Sequence, residues 1–139
     1  MNEVALNKKI SIERCLQQIK KYYAQETGLP FEMDILKQDA IALNIQRVCE
    51  LSIDLANHMI RKKKLGLPKD SRDSFALLYK AGLINVGLRT TLQSMVGFRN
   101  IFVHAHQELD LKIMVEIIER RMTELPAFAN TLVEVLDQP

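Results

Sequence analysis

From Asp34 to Lys64 the chain runs without a glycine or a proline, and Ile35, Leu36, Leu43, Val48, Leu51, Leu55, Met59 and Ile60 give the run a wide apolar face. Such a segment forms one helix roughly 40 Å or more long, at about 1.5 Å per residue. A helix of that length cannot cover its own apolar face, so the rest of the chain must supply long partners.

Those partners are legible on both sides. Upstream, Leu6, Ile10, Leu16, Ile19 and Tyr23 recur at mainly three- and four-residue steps, which predicts a helix from about Glu3 to Ala24, stopped by Gly28 and Pro30. Downstream, Gly66 and Pro68 close the long helix, Ser71 can cap a short one over about 72–80, and Gly82 ends it. Asn85 can cap the next, which carries Leu88, Leu92, Met95 and Val96 and runs on into the stretch 98–106. A last helix begins after Asp110, with Pro126 expected to kink or split it. Glycine and proline together number only nine and no long alternating run seeds a sheet. The expected fold is all-α: one domain over residues 1–139, an up-and-down bundle of four long helices plus a short one near residue 75.

Composition narrows the function classes. No apolar run reaches the roughly 18 residues that would span a bilayer, and the charged start lacks the apolar segment of a signal peptide, so a cytoplasmic protein is expected. Cys15 and Cys49 have neither a disulfide framework nor a metal-knuckle spacing and read as small core residues. The net charge of +2 conceals an asymmetry: residues 1–106 hold 16 basic and 10 acidic side chains, and residues 107–139 hold 3 and 7. The basic part permits a phosphate-bearing partner without the strong charge of a dedicated nucleic-acid binder.

Several polar groups have bland readings. The basic run 61–64 complements the C-terminal dipole of the long helix, with a phosphate-facing role as the minor alternative. Asp54 and His58, four apart, are spaced for a structural carboxylate–imidazole pair. Gln46 and Glu50 lie on a largely apolar helix, where they can be buried and hydrogen-bonded at a helix or subunit interface.

The stretch Phe98-Arg99-Asn100-Ile101-Phe102-Val103-His104-Ala105-His106 is harder to dismiss, because it sets an arginine, an asparagine and two histidines in an apolar run. An H-x-H pair shares one face only on a strand, and no carboxylate or cysteine cluster stands nearby, so neither a metal nor any other cofactor is expected. On an ideal helix Asn100 and His104 share a face, whereas Arg99 and His104 lie about 140° apart. Arg99 and His104 converge on one phosphate only through a local irregularity or a second copy across an interface. A histidine that titrates near neutrality and a guanidinium suited to gripping phosphate oxygens together supply what metal-free RNA cleavage needs.

The same residues resemble a known family. "RNIFVH" fits the arginine–polar–x3–histidine motif of HEPN domains, and the flanking "NIQRVCELSIDLANHMIRKKKLGLPKDSRDSFALLYKAGLI" and "TLQSMVGFRNIFVHAHQELDLKIMVEII" are similar to the HepT toxin branch from about Asp34 to Glu119. That resemblance implies a HEPN homodimer whose motifs face each other in a cleft. It also implies a metal-independent ribonuclease acting on tRNA or mRNA, neutralised by a nucleotidyltransferase (MNT) antitoxin that transfers AMP to it. Carried over by position, Arg99 binds phosphate, Asn100 orients the phosphate or the imidazole, and His104 is the acid–base group. The branch normally has an AMP-accepting tyrosine two residues after the histidine; this chain has His106 there, while its tyrosines stand at 22, 23 and 79. That departure keeps a second reading open: a non-catalytic HEPN module that binds a nucleotide or a nucleotidyltransferase.

Overall fold

The structure is a computed structural model and describes residues 2–100 and 111–138, the side chain of Asn100 excepted. Among the described residues six α-helices follow in order: α1 Glu3–Ala24, α2 Ile35–Lys63, α3 Ser71–Lys80, α4 Val86–Asn100, α5 Leu111–Glu116 and α6 Glu124–Asp137. A 3-10 turn at Phe31–Met33 leads into α2, and no strand occurs among the described residues. The all-α bundle is the one the hydrophobic periodicity predicts.

The long helix α2 lies antiparallel to α1. Asn2 meets His58, Lys8 meets Asp54, and the Lys37 ammonium donates to the carbonyls of Tyr23 and Gln25, so one register holds along the whole seam. On its other side α1 takes α6, also antiparallel, through Lys9 with Asn130 and the Asn2 amide with the Asp137 carboxylate. Ile12, Ile19, Ile41, Ile45, Leu55, Met59, Phe75, Leu78, Leu92 and Phe128 are all under 2% exposed and form one continuous core.

Several caps fall beside the positions that their residue types predict. Helix α1 ends at Ala24 with Gln25 extended, and Gly28 serves the following loop at φ 80° rather than the cap. Helix α2 is closed by Lys64 in the left-handed conformation (φ 54°), not by Gly66. Asp70, not Ser71, caps α3, because its longer-reaching carboxylate accepts from the Asp73 amide at 2.8 Å and leaves Ser71 as the first helical residue. Asn85 caps α4 as its type predicts, accepting from the Leu88 amide at 2.8 Å.

Pro126 splits the last helical stretch. Having no N–H, it cannot bond back to Met122, so α5 widens into a π-helical turn over Ile117–Arg121, and α6 restarts at Glu124. Pro126 then stands in the first turn of α6, where its missing donor has no helical partner to lose. Arg121 reaches Glu116 at 3.6 Å and Glu124 at 3.2 Å, so one guanidinium spans the joint.

Asp54 and His58 do not pair with each other, because each finds a partner on α1 instead. Lys8 lies 3.4 Å from the Asp54 carboxylate, and Asn2 lies 2.9 Å from the His58 Nε2. Burial, then Arg61 and Lys62, hold the His58 pKa below its ordinary value. A depressed histidine pKa means that the unfolded chain binds the proton more readily, so this contribution is present above the ordinary histidine value and is lost as pH falls through the folded one. Between about pH 7 and pH 5 the thermal midpoint therefore drops, and His58→Gln flattens that part of the profile. A wild-type and variant profile that run parallel there would contradict the assignment. Asp34 acts lower, in the carboxylate range: the Thr27 hydroxyl and the Lys37 amide donate to it and hold its pKa down.

Candidate active site

Helix α4 delivers the arginine–asparagine pair of the motif. Leu92, Met95, Val96 and Phe98 are all 5% exposed or less, and that packing fixes the rotational phase in which the helix presents its last turn. Arg99 and Asn100 are the last two described residues of α4, about 100° apart around its axis. His104 and His106 lie outside the described residues.

Arg99 is half-buried and close to α2, where its charge acts on Cys49. Burial drives the Cys49 thiol up to about 12, and the guanidinium only partly offsets that rise, with Glu50 reinforcing it slightly. A thiol in that state is neutral at physiological pH and is not a nucleophile. The neighbouring polar pair Gln46 and Glu50 is solvent-facing: the Gln46 amide donates to the Glu50 carboxylate at 3.4 Å. The 61–64 run is exposed, with Arg61, Lys62 and Lys63 in the last turn of α2, where cations meet the negative end of the helix.

Helix α3 brings a second cation that sequence reasoning did not single out. The two helices are pinned at successive levels: the Arg89 guanidinium lies 4.6 Å from the centre of the Tyr79 ring, and the Gln93 amide donates to the Arg72 carbonyl at 3.0 Å. At the next level the Arg72 guanidinium rests on Gly97, with its Nη2 2.7 Å from where a Cβ would stand. Glycine in the middle of a helix costs stability, and here it makes room for an arginine two residues before Arg99. An isolated glycine inside a helical pattern was the available signal for that close approach.

Among the described residues no group of three His, Cys, Asp or Glu side chains is placed to hold a metal ion, and no helix is long and apolar enough to cross a membrane. Gly97 and Arg99 lie about 200° apart around the helix, so Arg72 meets α4 on a different face from Arg99. The guanidinium of Arg99 is suited to phosphate oxygens, and the motif adds a histidine four residues past Asn100.

Comparison with known proteins tells the same story at full length. A family profile described as ribonuclease HepT-like matches residues 12–132. The chain is 42% identical over 132 residues to the mRNA nuclease HepT of Shewanella oneidensis, covering 95% of this chain and 98% of that one. Its backbone is similar to that of the tri-AMPylated Shewanella oneidensis HEPN toxin in complex with an MNT antitoxin, with TM-score 0.87, 41% identity and coverage of 96% and 99%. A toxin–antitoxin crystal structure with AMP-PNP agrees equally well, at TM-score 0.85, 42% identity and coverage of 95% and 99%. With sequence and backbone agreeing from end to end, the chain belongs to the HepT-like ribonuclease family of HEPN domains.

Proposed function

We propose that this protein is the toxin of a HEPN/MNT toxin–antitoxin pair, an endoribonuclease that needs no metal and cuts RNA, mRNA in the first instance, in the cytoplasm. The observation that carries this reading is the near-complete match to a HepT nuclease in a chain that keeps Arg99-Asn100-x3-His104, with Arg99 set on a helix locked into the core. Residues 1–139 act as one domain, and two copies form the composite cleft.

The chemistry follows from the residue types. One His104 takes the proton of a ribose 2′-hydroxyl as its oxygen attacks the adjacent phosphorus. Arg99 holds the phosphate oxygens as negative charge builds on them, and Asn100 orients the group. The bond from phosphorus to the 5′-oxygen breaks, and the partner's His104 gives that oxygen a proton. The products are a 2′,3′-cyclic phosphate and a free 5′-hydroxyl. Two copies also remove the angular difficulty, since an arginine and a histidine about 140° apart on one helix meet their counterparts across the cleft.

A nucleotidyltransferase antitoxin is the partner, as the MNT antitoxin is in the complex of the Shewanella oneidensis HEPN toxin. Position 106 offers that enzyme an imidazole in place of a phenolic hydroxyl. This one observation favours a second reading, a HEPN module that binds a nucleotide or the nucleotidyltransferase without turnover. Induced expression separates the two. A toxin arrests growth, His104→Ala relieves the arrest, and the cognate nucleotidyltransferase relieves it too. Growth unaffected by the wild-type chain, together with saturable nucleotide binding, would favour the module.

A further inference from the structure

A groove runs along the seam between α1 and α2, apart from the end of α4 that carries Arg99 and Asn100. Its two adjoining hollows, of about 280 and 360 Å3, share Arg14, Cys15 and Arg47. The register that sets Asn2 against His58 and Lys8 against Asp54 sets Arg14 across from Arg47. Elsewhere along this seam the facing groups are complementary; here two guanidiniums face each other, which costs folding energy unless something anionic lies between them.

Both arginines are exposed, and neither forms an ion pair or hydrogen bond among the described residues. Two carboxylates also line the wider hollow: Asp54 is paired with Lys8, whereas Glu50 accepts from the neutral Gln46 amide and keeps its charge, though neither carboxylate forms an ion pair with the two arginines. Cys15 lines both hollows together with the two arginines, and burial raises its pKa against the lowering pull of Arg47 and Arg14. The remaining walls are suited to a nucleotide unit. Tyr22 presents an aromatic ring, Gln18 an amide, and Asn44 a side chain only 6% exposed. The Asn44 amide nitrogen donates to the Ala40 carbonyl at 2.9 Å, and its oxygen takes no hydrogen bond among the described residues.

We infer that the Arg14–Arg47 groove is a second RNA-binding site, which holds backbone phosphates of the substrate strand away from the cleavage motif and stacks a base on Tyr22. The inference rests on the ribonuclease reading for its choice of ligand. An open groove lined by cations and one aromatic ring is the pattern by which proteins track a single strand without reading its sequence.

Cys15 makes the groove directly observable. Cys49 is 1% exposed and out of reach of a thiol reagent, so labelling of the native protein reports Cys15 alone. The probe is a 2′-O-methyl RNA oligonucleotide, which cannot be cleaved by 2′-hydroxyl attack and so reads binding whether or not the protein is a nuclease. Bound oligonucleotide is expected to slow labelling of Cys15 several-fold. Arg14→Gln with Arg47→Gln is expected to abolish that protection and to reduce the slope of log affinity against log salt by about 1.4, about 0.7 for each single-strand phosphate contact. The thermal midpoint of this double variant is expected to stay level or rise, a response that a merely structural pair would not give. The paired Arg→Lys substitutions keep the charges and most of the salt slope. Unchanged affinity and slope in the Gln variant would overturn the inference, as would protection by AMP alone without protection by the oligonucleotide. If the wild type cleaves RNA while the groove variants bind it normally, the groove assignment fails and the ribonuclease reading stands.

Discussion

Arg99→Ala and His104→Ala are each expected to slow cleavage of an RNA oligonucleotide by about 10²- to 10⁴-fold, with the thermal midpoint nearly unchanged. The size of the effect follows from the task of each group. Loss of the histidine removes the proton acceptor at one step and the proton donor at the other, and loss of the arginine removes a fixed positive charge where negative charge develops. The small effect on stability follows from placement for Arg99, which is half-buried on α4, a helix whose packing rests on Leu92, Met95, Val96 and Phe98. Initial rates beside a melting curve decide the matter. Cleavage that persists in both variants would remove these residues from the mechanism, and cleavage lost only because the variants unfold would make their role structural.

The largest stability effect is expected at the contact between α3 and α6. Phe75 and Phe128 are 0% and 1% exposed, and their rings meet edge to face with centroids 6.3 Å apart and planes at 71°. Phe128→Ala removes the apolar transfer energy and leaves a cavity, at a cost of about 3–5 kcal/mol, a large share of the roughly 5–15 kcal/mol that holds a domain folded. Phe75→Ala costs a similar amount, and a double-mutant cycle should return about 0.5–1.5 kcal/mol of coupling from the ring geometry. The Phe75 variant carries a further consequence, since α3 is the element that rests Arg72 on Gly97 beside the motif. Denaturant titration of the three variants measures all of this. A cost below about 1 kcal/mol for either single change would mean that the site collapses freely and that α3 is not anchored there.

What could be read in advance divides along physical lines. The existence of α1 to α4 and of a last helical stretch was legible because a 3.6-residue apolar period over ten or more residues is a local signal, and α2 announced itself by the absence of any breaker. Helix ends were less legible because neighbouring residues compete for the same orphan amides. Asp70 outcompetes Ser71 at the start of α3, and Lys64 takes the left-handed turn two residues before the glycine that was better suited to it. Pro126 was readable as a break, though not the π-helical widening by which the chain absorbs it.

Side-chain partnerships followed the same division. The four-residue spacing of Asp54 and His58 does put them on one face, yet α1 offers Lys8 and Asn2 to that face, and these long-range partners win. The Arg14–Arg47 confrontation could not be seen at all, since it exists only once α1 and α2 settle into register. Of the motif, Arg99 and Asn100 stand on α4, the helix expected to run on into this stretch, and Arg72 meets the same helix at Gly97 from an element that carried no motif.

The most direct measurement is incubation of the purified wild-type chain with total RNA and with isolated tRNA in EDTA, followed by analysis of the ends produced. The account predicts cleavage in the chelator that leaves 2′,3′-cyclic phosphate and 5′-hydroxyl ends, the signature of 2′-hydroxyl attack assisted by two imidazoles. Intact RNA, or products bearing 5′-phosphates that appear only when a divalent metal is restored, would contradict it.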